Sequence, residues 1–288
     1  AGIRRELLTF IVGGGGFSGV ESMAALNDLV RELSSHFPHV ARDDIRTIIV
    51  QPGDRVLPEL SPGLAHYAQS ELEQRGVEVM LKTKLSAAGE GYVDVQPEHG
   101  GPVQRIPTHM LIWTGGVTPS PVIESAGLPL GRHHGIVVDA CCRVQDHPGF
   151  WALGDCAEIP KPGGHGSYAS TAQNATREGP LVARNIASVA RGEAPHPFVY
   201  QPVGELAIVG RRAGVASVYG VHLRGGVAWI AWRFIYLAKM PRMMQRAHVA
   251  LNWLLDLAFG RDLVALPGVQ AEAVSGRIAD QREIVASR

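Results

Sequence analysis

The chain has 288 residues, 45% of them hydrophobic, which suffices for two domains with a substantial buried core. Its 27 Lys+Arg and 27 Asp+Glu residues cancel, so the overall charge gives no argument for a nucleic-acid partner. Three cysteines (Cys141, Cys142 and Cys156) make no disulfide framework and suit a reducing compartment, no Cys/His cluster has metal-ligand spacing, and no uncharged apolar run reaches the ~18 residues of a spanning helix.

The chain opens on Ala rather than Met, which reads as a trimmed chain or a piece of a longer one, and its first residues resemble no signal peptide. Residues 2–6 lead straight into an apolar run, 7–12, that predicts a strand. A glycine turn, Gly13–Gly16, then opens a helix predicted over 18–36, with Ala24, Leu26, Leu29, Val30 and Leu33 as its apolar face. The β-branched run 45–50 predicts a second strand. Ser61 and Pro62 stand as N-cap and first residue of a helix that runs to Arg75 and closes at Gly76. Residues 77–81 predict a third strand. This order of strands and helices implies a parallel sheet with right-handed crossovers. Residues 84–106 alternate as an antiparallel meander, and 109–113 return as a strand of the first sheet. Short strands follow at 135–139 and 149–153. A long helix is expected from Ser167 to Arg191, kinked at Pro180 or broken near Gly179. Antiparallel strands are expected over 198–223, helices over 227–237 and 241–259, and a polar, solvated tail from Ala271.

Within the first turn, Gly14-x-Gly16-x-x-Gly19 is a dinucleotide fingerprint in the required context, after a strand and opening a helix. The first Gly allows the tight turn, the second lets a pyrophosphate approach the backbone, and the third lets helix and strand pack closely. Phe17 and Ser18 lie inside this turn, where unpaired helix N–H groups favour an anion. Glu21 follows in the first helical turn, where the helix dipole favours a carboxylate whatever else it does. Gln51 ends the second strand, where NAD-preferring folds put an Asp or Glu on the ribose hydroxyls. A Gln does not repel a 2′-phosphate, so weakened NADH-over-NADPH discrimination is expected, with Arg55 as a phosphate partner. Two other readings of Gln51 stay open: a passive strand end, and a ribose carboxylate supplied by Asp54 instead. Thr114-Gly115-Gly116 forms a second glycine turn after a strand, where a cofactor can cross close to the backbone.

Four segments, Phe10–Glu21, Trp113–Pro119, Trp151–Ala157 and Thr171–Gly179, occur in this order as they do in the type II NADH dehydrogenases, which the chain resembles. These are single-chain NADH:quinone oxidoreductases of the membrane surface. The fold class expected is therefore α/β: a Rossmann-like parallel sheet with an antiparallel meander, part of an FAD-binding domain, and C-terminal amphipathic helices. The resemblance divides the chain into a nucleotide-binding domain (1–118), the C-terminal portion of an FAD-binding domain (119–223), membrane-surface helices (224–268) and a tail (269–288). It implies FAD and NADH, with NADPH as the open alternative, as cofactors. Glu21 and Gln173 become the catalytic candidates. Gly14, Gly16, Phe17, Ser18, Gly19, Gln51, Gly115, Gly116, Gly154, Asp155, Thr171 and Ala172 become the cofactor-binding ones, and no metal is implied. That family carries an N-terminal half with its own glycine turn for FAD, which this chain lacks. Three readings of this stay open: a natural half-chain whose missing part comes from a homodimer or a partner chain, a truncated gene product, and a fragment. A second Gln usually stands four residues after Gln173, and Arg177 takes its place here.

Residues 224–261 carry six basic residues against one acidic residue, Asp256, and include Trp229, Trp232 and Trp253, three of the chain's five tryptophans. Basic and aromatic residues on amphipathic helices suit a membrane interface, while a buried hairpin or a dimer interface would have similar composition. The expected location is the membrane surface on its cytoplasmic face, with quinone arriving from the lipid. Two rival readings remain: a sulfide:quinone or disulfide-type reductase of the same fold, and a flavin-free nucleotide-binding subunit. Cys156 lacks a partner at disulfide-reductase spacing and reads as a buried, inert thiol. His133, His134 and His196 lie in expected loops and receive no metal role.

Overall fold

The structure is a computed structural model, which describes residues 2–164, 166–201 and 204–259. In chain order the elements are α1 (Gly2–Leu7), β1 (Thr9–Gly13), α2 (Phe17–Leu33), β2 (Arg46–Val50), α3 (Pro62–Gln74), β3 (Val77–Met80), β4 (Thr83–Gly89), β5 (Tyr92–Pro97), β6 (Gln104–Pro107) and β7 (Met110–Trp113). Then come β8 (Ile136–Val137), β9 (Ala157–Glu158), α4 (Ala172–Ala190), β10 (Gly204–Gly210), β11 (Ala213–Val218), β12 (Val221–Arg224), α5 (Gly225–Lys239) and α6 (Met243–Phe259). One compact unit ends at Arg233 and a second begins at Phe234, inside α5.

The parallel sheet has the order β3-β2-β1-β7. Its strands are covered on both faces, as crossover connections dictate. Ile11 and Val12 are adjacent and both fully buried, because the period of two sends them to opposite sides. Ile11 joins Ile48 and Val50 under the meander residues Val93, Val95 and Ile106. Val12 joins Ile49 under α2 and α3, against Val20, Met23, Leu64 and Leu72. Each such buried aliphatic side chain contributes roughly 1.5–3 kcal/mol. The β10–β11 hairpin closes the far side of those helices through Ala207, Val209, Ala213 and Val215. Residues 204–218, expected with the 119–223 segment, thus share the core of the nucleotide-binding fold. A separate core holds Val138, Cys142, Val144, Ile159, Val182 and Phe198.

Three expectations need correction. Residues 2–7 form a helix rather than the lead-in of a strand, and Arg4 ties it to the His39 carbonyl and to Asp44. The long helix begins at Ala172, because Thr171 accepts the Asn174 N–H as N-cap while Ser167 bridges to Pro160. It then runs unbroken through Pro180 to Ala190. Ser61 and Pro62 take the expected N-cap and first helical positions of α3, with no side-chain cap bond from Ser61. The expected polar tail from Ala271 lies outside the described residues.

Candidate functional site

The glycine turn sits at the C-terminal edge of the parallel sheet, where α/β folds place their ligands. Gly14 has φ +111°, which L side chains rarely adopt, and its N–H donates to the Val50 carbonyl at 2.8 Å. Gly19 is packed so closely that a Cβ there would lie 1.8 Å from the Gly14 carbonyl oxygen. Gly16 is the opposite case: it has ordinary φ, and a Cβ on it would meet nothing within 4 Å. No side chain caps α2 at Gly16, so the N–H groups of Phe17, Ser18 and Gly19 are available to a ligand.

Thr114, which the sequence reading passed over in favour of its neighbours Gly115 and Gly116, fastens this turn. Its backbone N–H donates to the Gly13 carbonyl at 2.7 Å, and its hydroxyl reaches the carbonyls of Gly13 and Gly14 at 2.9 and 3.2 Å. Gly115 and Gly116 are exposed beside it, Gly116 facing open space. On the other side, the Gln51 carbonyl oxygen Oε1 accepts the Gly15 N–H at 2.8 Å. The Gly15 carbonyl in turn accepts the N–H of Leu57, a fully buried residue at φ +47°. Gln51 is therefore part of the turn rather than a passive strand end.

Glu21 is half-buried on α2. Its Oε1 accepts the backbone N–H of Ile208 on β10 at 3.0 Å, and the Trp232 indole N–H favours the charged form of the same carboxyl. Burial pushes its pKa above the ordinary glutamate value, against the opposing pull of those two donors.

A second group gathers around Gly154–Cys156, a single 3-10 turn in which Gly154 has φ +68°. The Gly154 N–H donates at 2.7 Å to Oε2 of Glu178, a residue only 2% exposed that was not singled out as a site residue. Its pKa is raised by burial first and by the neighbouring charge of Asp155 last, with the Gly154 N–H pulling the other way. Asp155, Thr171 and Ala172 are exposed around this turn. One helical position further, Gln173 Nε2 donates to the Tyr200 hydroxyl at 2.8 Å. Arg177 donates to the Gln173 carbonyl at 2.6 Å and stacks its guanidinium 4.2 Å from the Tyr200 ring centroid. The Tyr200 N–H is held by the Tyr168 hydroxyl at 3.2 Å. Tyr200 lies 27 residues from Gln173, with no motif linking the two in sequence.

Cys156 is half-buried rather than buried, and its thiol donates to the Leu153 carbonyl. Burial pushes the Cys142 thiol up to about 12 and raises that of Cys141. No three His, Cys, Asp or Glu side chains converge on a metal position among the described residues. A surface cavity of about 490 Å³ lies at the C-terminal end of α2, away from the glycine turn, lined by Arg31, Arg42, Arg75 and Arg211 among others. Its inner guanidiniums are taken up by Asn27, Gly76, Glu71 and the Arg211 carbonyl, so it reads as helix-end packing rather than as the site. Helix α5 exposes Val227 and Ile230 before Arg233. Beyond it, Phe234, Met243, Met244, Leu251, Leu254 and Leu255 are exposed, and Arg246 closes the end of α5 through the Ala238 and Met240 carbonyls. Among the described residues no helix is long and apolar enough to cross a membrane.

The chain matches the family model of pyridine nucleotide-disulphide oxidoreductases over residues 2–179, and that of the NDH2 C-terminal domain over 203–262. The internal alternative NAD(P)H-ubiquinone oxidoreductase A1 of Arabidopsis thaliana mitochondria is 30% identical over 283 residues, covering 90% of this chain and 53% of that protein. A type II NADH:quinone oxidoreductase of Staphylococcus aureus is 32% identical over 221 residues, covering 76% of this chain and 53% of that protein. The chain thus spans about half the length of the curated relatives it matches. Among solved structures, NDH2 from Plasmodium falciparum, in complex with NADH, shares the fold with a TM-score of 0.82 at 17% identity, over 91% of this chain and 68% of that one. The second match, from residue 203 to 262, is to the NDH2 C-terminal domain, and the first, which runs from residue 2 through the glycine turn and the Gly154 turn into α4, makes this chain a member of the pyridine nucleotide-disulphide oxidoreductase family.

Proposed function

We propose that this chain is the nicotinamide-nucleotide portion of an FAD-dependent NADH:quinone oxidoreductase that does not pump protons. The observation that carries the reading is the contrast between Gly19, which has no room for a Cβ, and Gly16, which has open space in front of it. A turn built only for packing needs the first; a cradle for a pyrophosphate needs both. The Gly154 turn fits a flavin in the same way, since Gly154 adopts a conformation L residues avoid and its neighbours Asp155, Thr171 and Ala172 remain exposed.

When bound, FAD supplies the two-electron chemistry that joins nicotinamide oxidation to quinone reduction. The N–H groups at the start of α2 hold the pyrophosphate, and Thr114 keeps their turn in shape. Glu21, anchored by Ile208, holds a proton more readily than an ordinary glutamate beside the nicotinamide. Gln173 spends its amide donor on Tyr200, which leaves the phenol O–H to donate to a quinone carbonyl. Arg177 keeps that ring in place from its face. Tyr200→Phe should therefore raise the quinone KM by about three- to tenfold, the value of one hydrogen bond, with the nucleotide KM unchanged. The raised thiols of Cys141 and Cys142 support quinone over a disulfide as acceptor. Helices α5 and α6 rest on anionic lipid at the cytoplasmic face through their exposed apolar side chains and basic residues.

The test is the visible spectrum of the purified chain after incubation with FAD and removal of free flavin. Flavin bands that persist and bleach with NADH are expected, with colour returning on addition of a water-soluble quinone. A colourless protein that still binds NADH would replace this reading with that of a flavin-free nucleotide-binding subunit.

A further inference from the structure

We infer that the adenosine end of the nucleotide site is built to receive a 2′-phosphate, so that the chain takes NADPH at least as well as NADH. This rests on the nucleotide-binding reading above and adds to it the identity of the nucleotide.

The Gly15 N–H lies inside the turn and needs an acceptor, and Gln51 Oε1 provides it at 2.8 Å. That bond fixes which way the amide faces. With the oxygen committed to Gly15, the NH2 group must lie on the other side, and Nε2 stands beside Gly53, 2.9 Å from where a Cβ on that residue would be. The end of β2 thus presents a hydrogen-bond donor where an NAD-preferring site presents a carboxylate. A carboxylate accepts from the two ribose hydroxyls and repels a 2′-phosphate, whereas an amide NH2 donates to a phosphate oxygen.

Four residues further along the same loop, Arg55 is half-buried, and its Nε is shielded from solvent with no hydrogen-bond partner among the described residues. A ligand therefore meets Arg55 at its terminal guanidinium N–H groups, and a phosphate oxyanion is an acceptor that these groups favour. The loop that carries both donors is already shaped. The Leu57 N–H closes it onto the Gly15 carbonyl at 2.7 Å, and the Lys82 N–H joins it to the β3–β4 turn through the Gly53 carbonyl at 2.9 Å. The charged residues along these segments are Arg55, Lys82, Asp54 and Glu59, the last three exposed.

Calorimetric titration of the purified chain with NADP+ and with NAD+ tests this without flavin or turnover. The expected result is an NADP+ Kd equal to or below that of NAD+. Arg55→Ala should weaken NADP+ by about tenfold or more, the value of a charge-assisted hydrogen bond, and leave NAD+ within about twofold. Gln51→Glu keeps an acceptor for Gly15 and should move the preference toward NAD+ by about 10- to 100-fold. Asp54→Asn should leave both affinities within about twofold. A wild-type chain that prefers NAD+ by more than about tenfold, or an Arg55→Ala variant that weakens both nucleotides alike, overturns the 2′-phosphate site while leaving the nucleotide-binding reading intact. A selective loss of NAD+ affinity in Asp54→Asn overturns it too, by assigning the ribose to that carboxylate. Binding of neither nucleotide overturns both readings together.

Discussion

Gly19→Ala should cost this protein both stability and nucleotide binding, while Gly16→Ala should cost chiefly the binding. At Gly19 the added methyl falls 1.8 Å from the Gly14 carbonyl oxygen, an atom of the backbone that cannot swing aside. Either α2 moves away from β1 or the turn opens, and both break the bonds by which Thr114 holds Gly13 and Gly14. Overpacking of this kind costs about 1–3 kcal/mol and at times more. At Gly16 the added methyl enters open space with φ at −74°, so the folding cost should stay at about 1 kcal/mol or less, that of Ala at an N-cap. The same methyl occupies the position through which a pyrophosphate must approach the N–H groups of Phe17, Ser18 and Gly19. Loss of one or two charge-assisted hydrogen bonds there corresponds to about a 10- to 100-fold weaker NADH Kd. Thermal melting and calorimetric titration of the two variants separate the effects. A Gly16→Ala protein that binds NADH as tightly as the parent would mean that the turn is a packing device and nothing more.

Glu178 offers the second large effect, through pH as well as mutation. Its folded-state pKa lies above its unfolded one, so between the two values the folded chain holds more protons than the unfolded chain. The stabilising contribution is fully present below the ordinary glutamate range, and it declines as pH rises through that range and past the raised folded value. Glu178→Gln removes this slope while its amide oxygen still accepts the Gly154 N–H, so the variant should melt at or above the parent temperature near neutral pH. Glu178→Ala removes the acceptor altogether. It leaves the Gly154 N–H unpaired beside a cavity and should cost about 2–4 kcal/mol, with loss of whatever the Gly154 turn binds. Melting curves from acid to neutral pH for the parent and both variants check this. A parent protein whose melting temperature climbs steadily across that interval and falls only with Glu178→Gln would reverse the assignment.

The parts of this fold that local rules control were readable from the sequence. The β1–turn–α2 segment is one of them, since Gly14, Gly16 and Gly19 each answer a separate steric demand within a single turn. The double covering of the sheet is another, because runs such as Ile48-Ile49 are apolar on both faces. What escaped was decided by partners distant in the chain. Glu178 looks like one charge on a solvated helix until its carboxylate is found under Gly154, 24 residues away. Tyr200 sits in a stretch without a motif, and only the fold sets it against Gln173 and Arg177. Thr114 reads as an ordinary strand end, although its hydroxyl serves two carbonyls of the turn. The helix at Gly2–Leu7 was missed because its order comes from contacts of Arg4 with residues near 40, not from apolar periodicity.

The strap that Thr114 places on the glycine turn has a consequence for how the protein is made. The turn is written within seven residues, yet its two carbonyls wait for a hydroxyl that arrives 100 residues later, and Glu21 waits 187 residues for Ile208. Closing intervals of that length is entropically demanding and slow, so contacts between sequence-distant partners form late. A nascent chain of this protein holds the complete fingerprint long before it holds a finished cradle. The glycine turn is therefore complete only when β7 docks against β1, and under the proposed function bound nucleotide would mark the fully assembled sheet rather than its first strand.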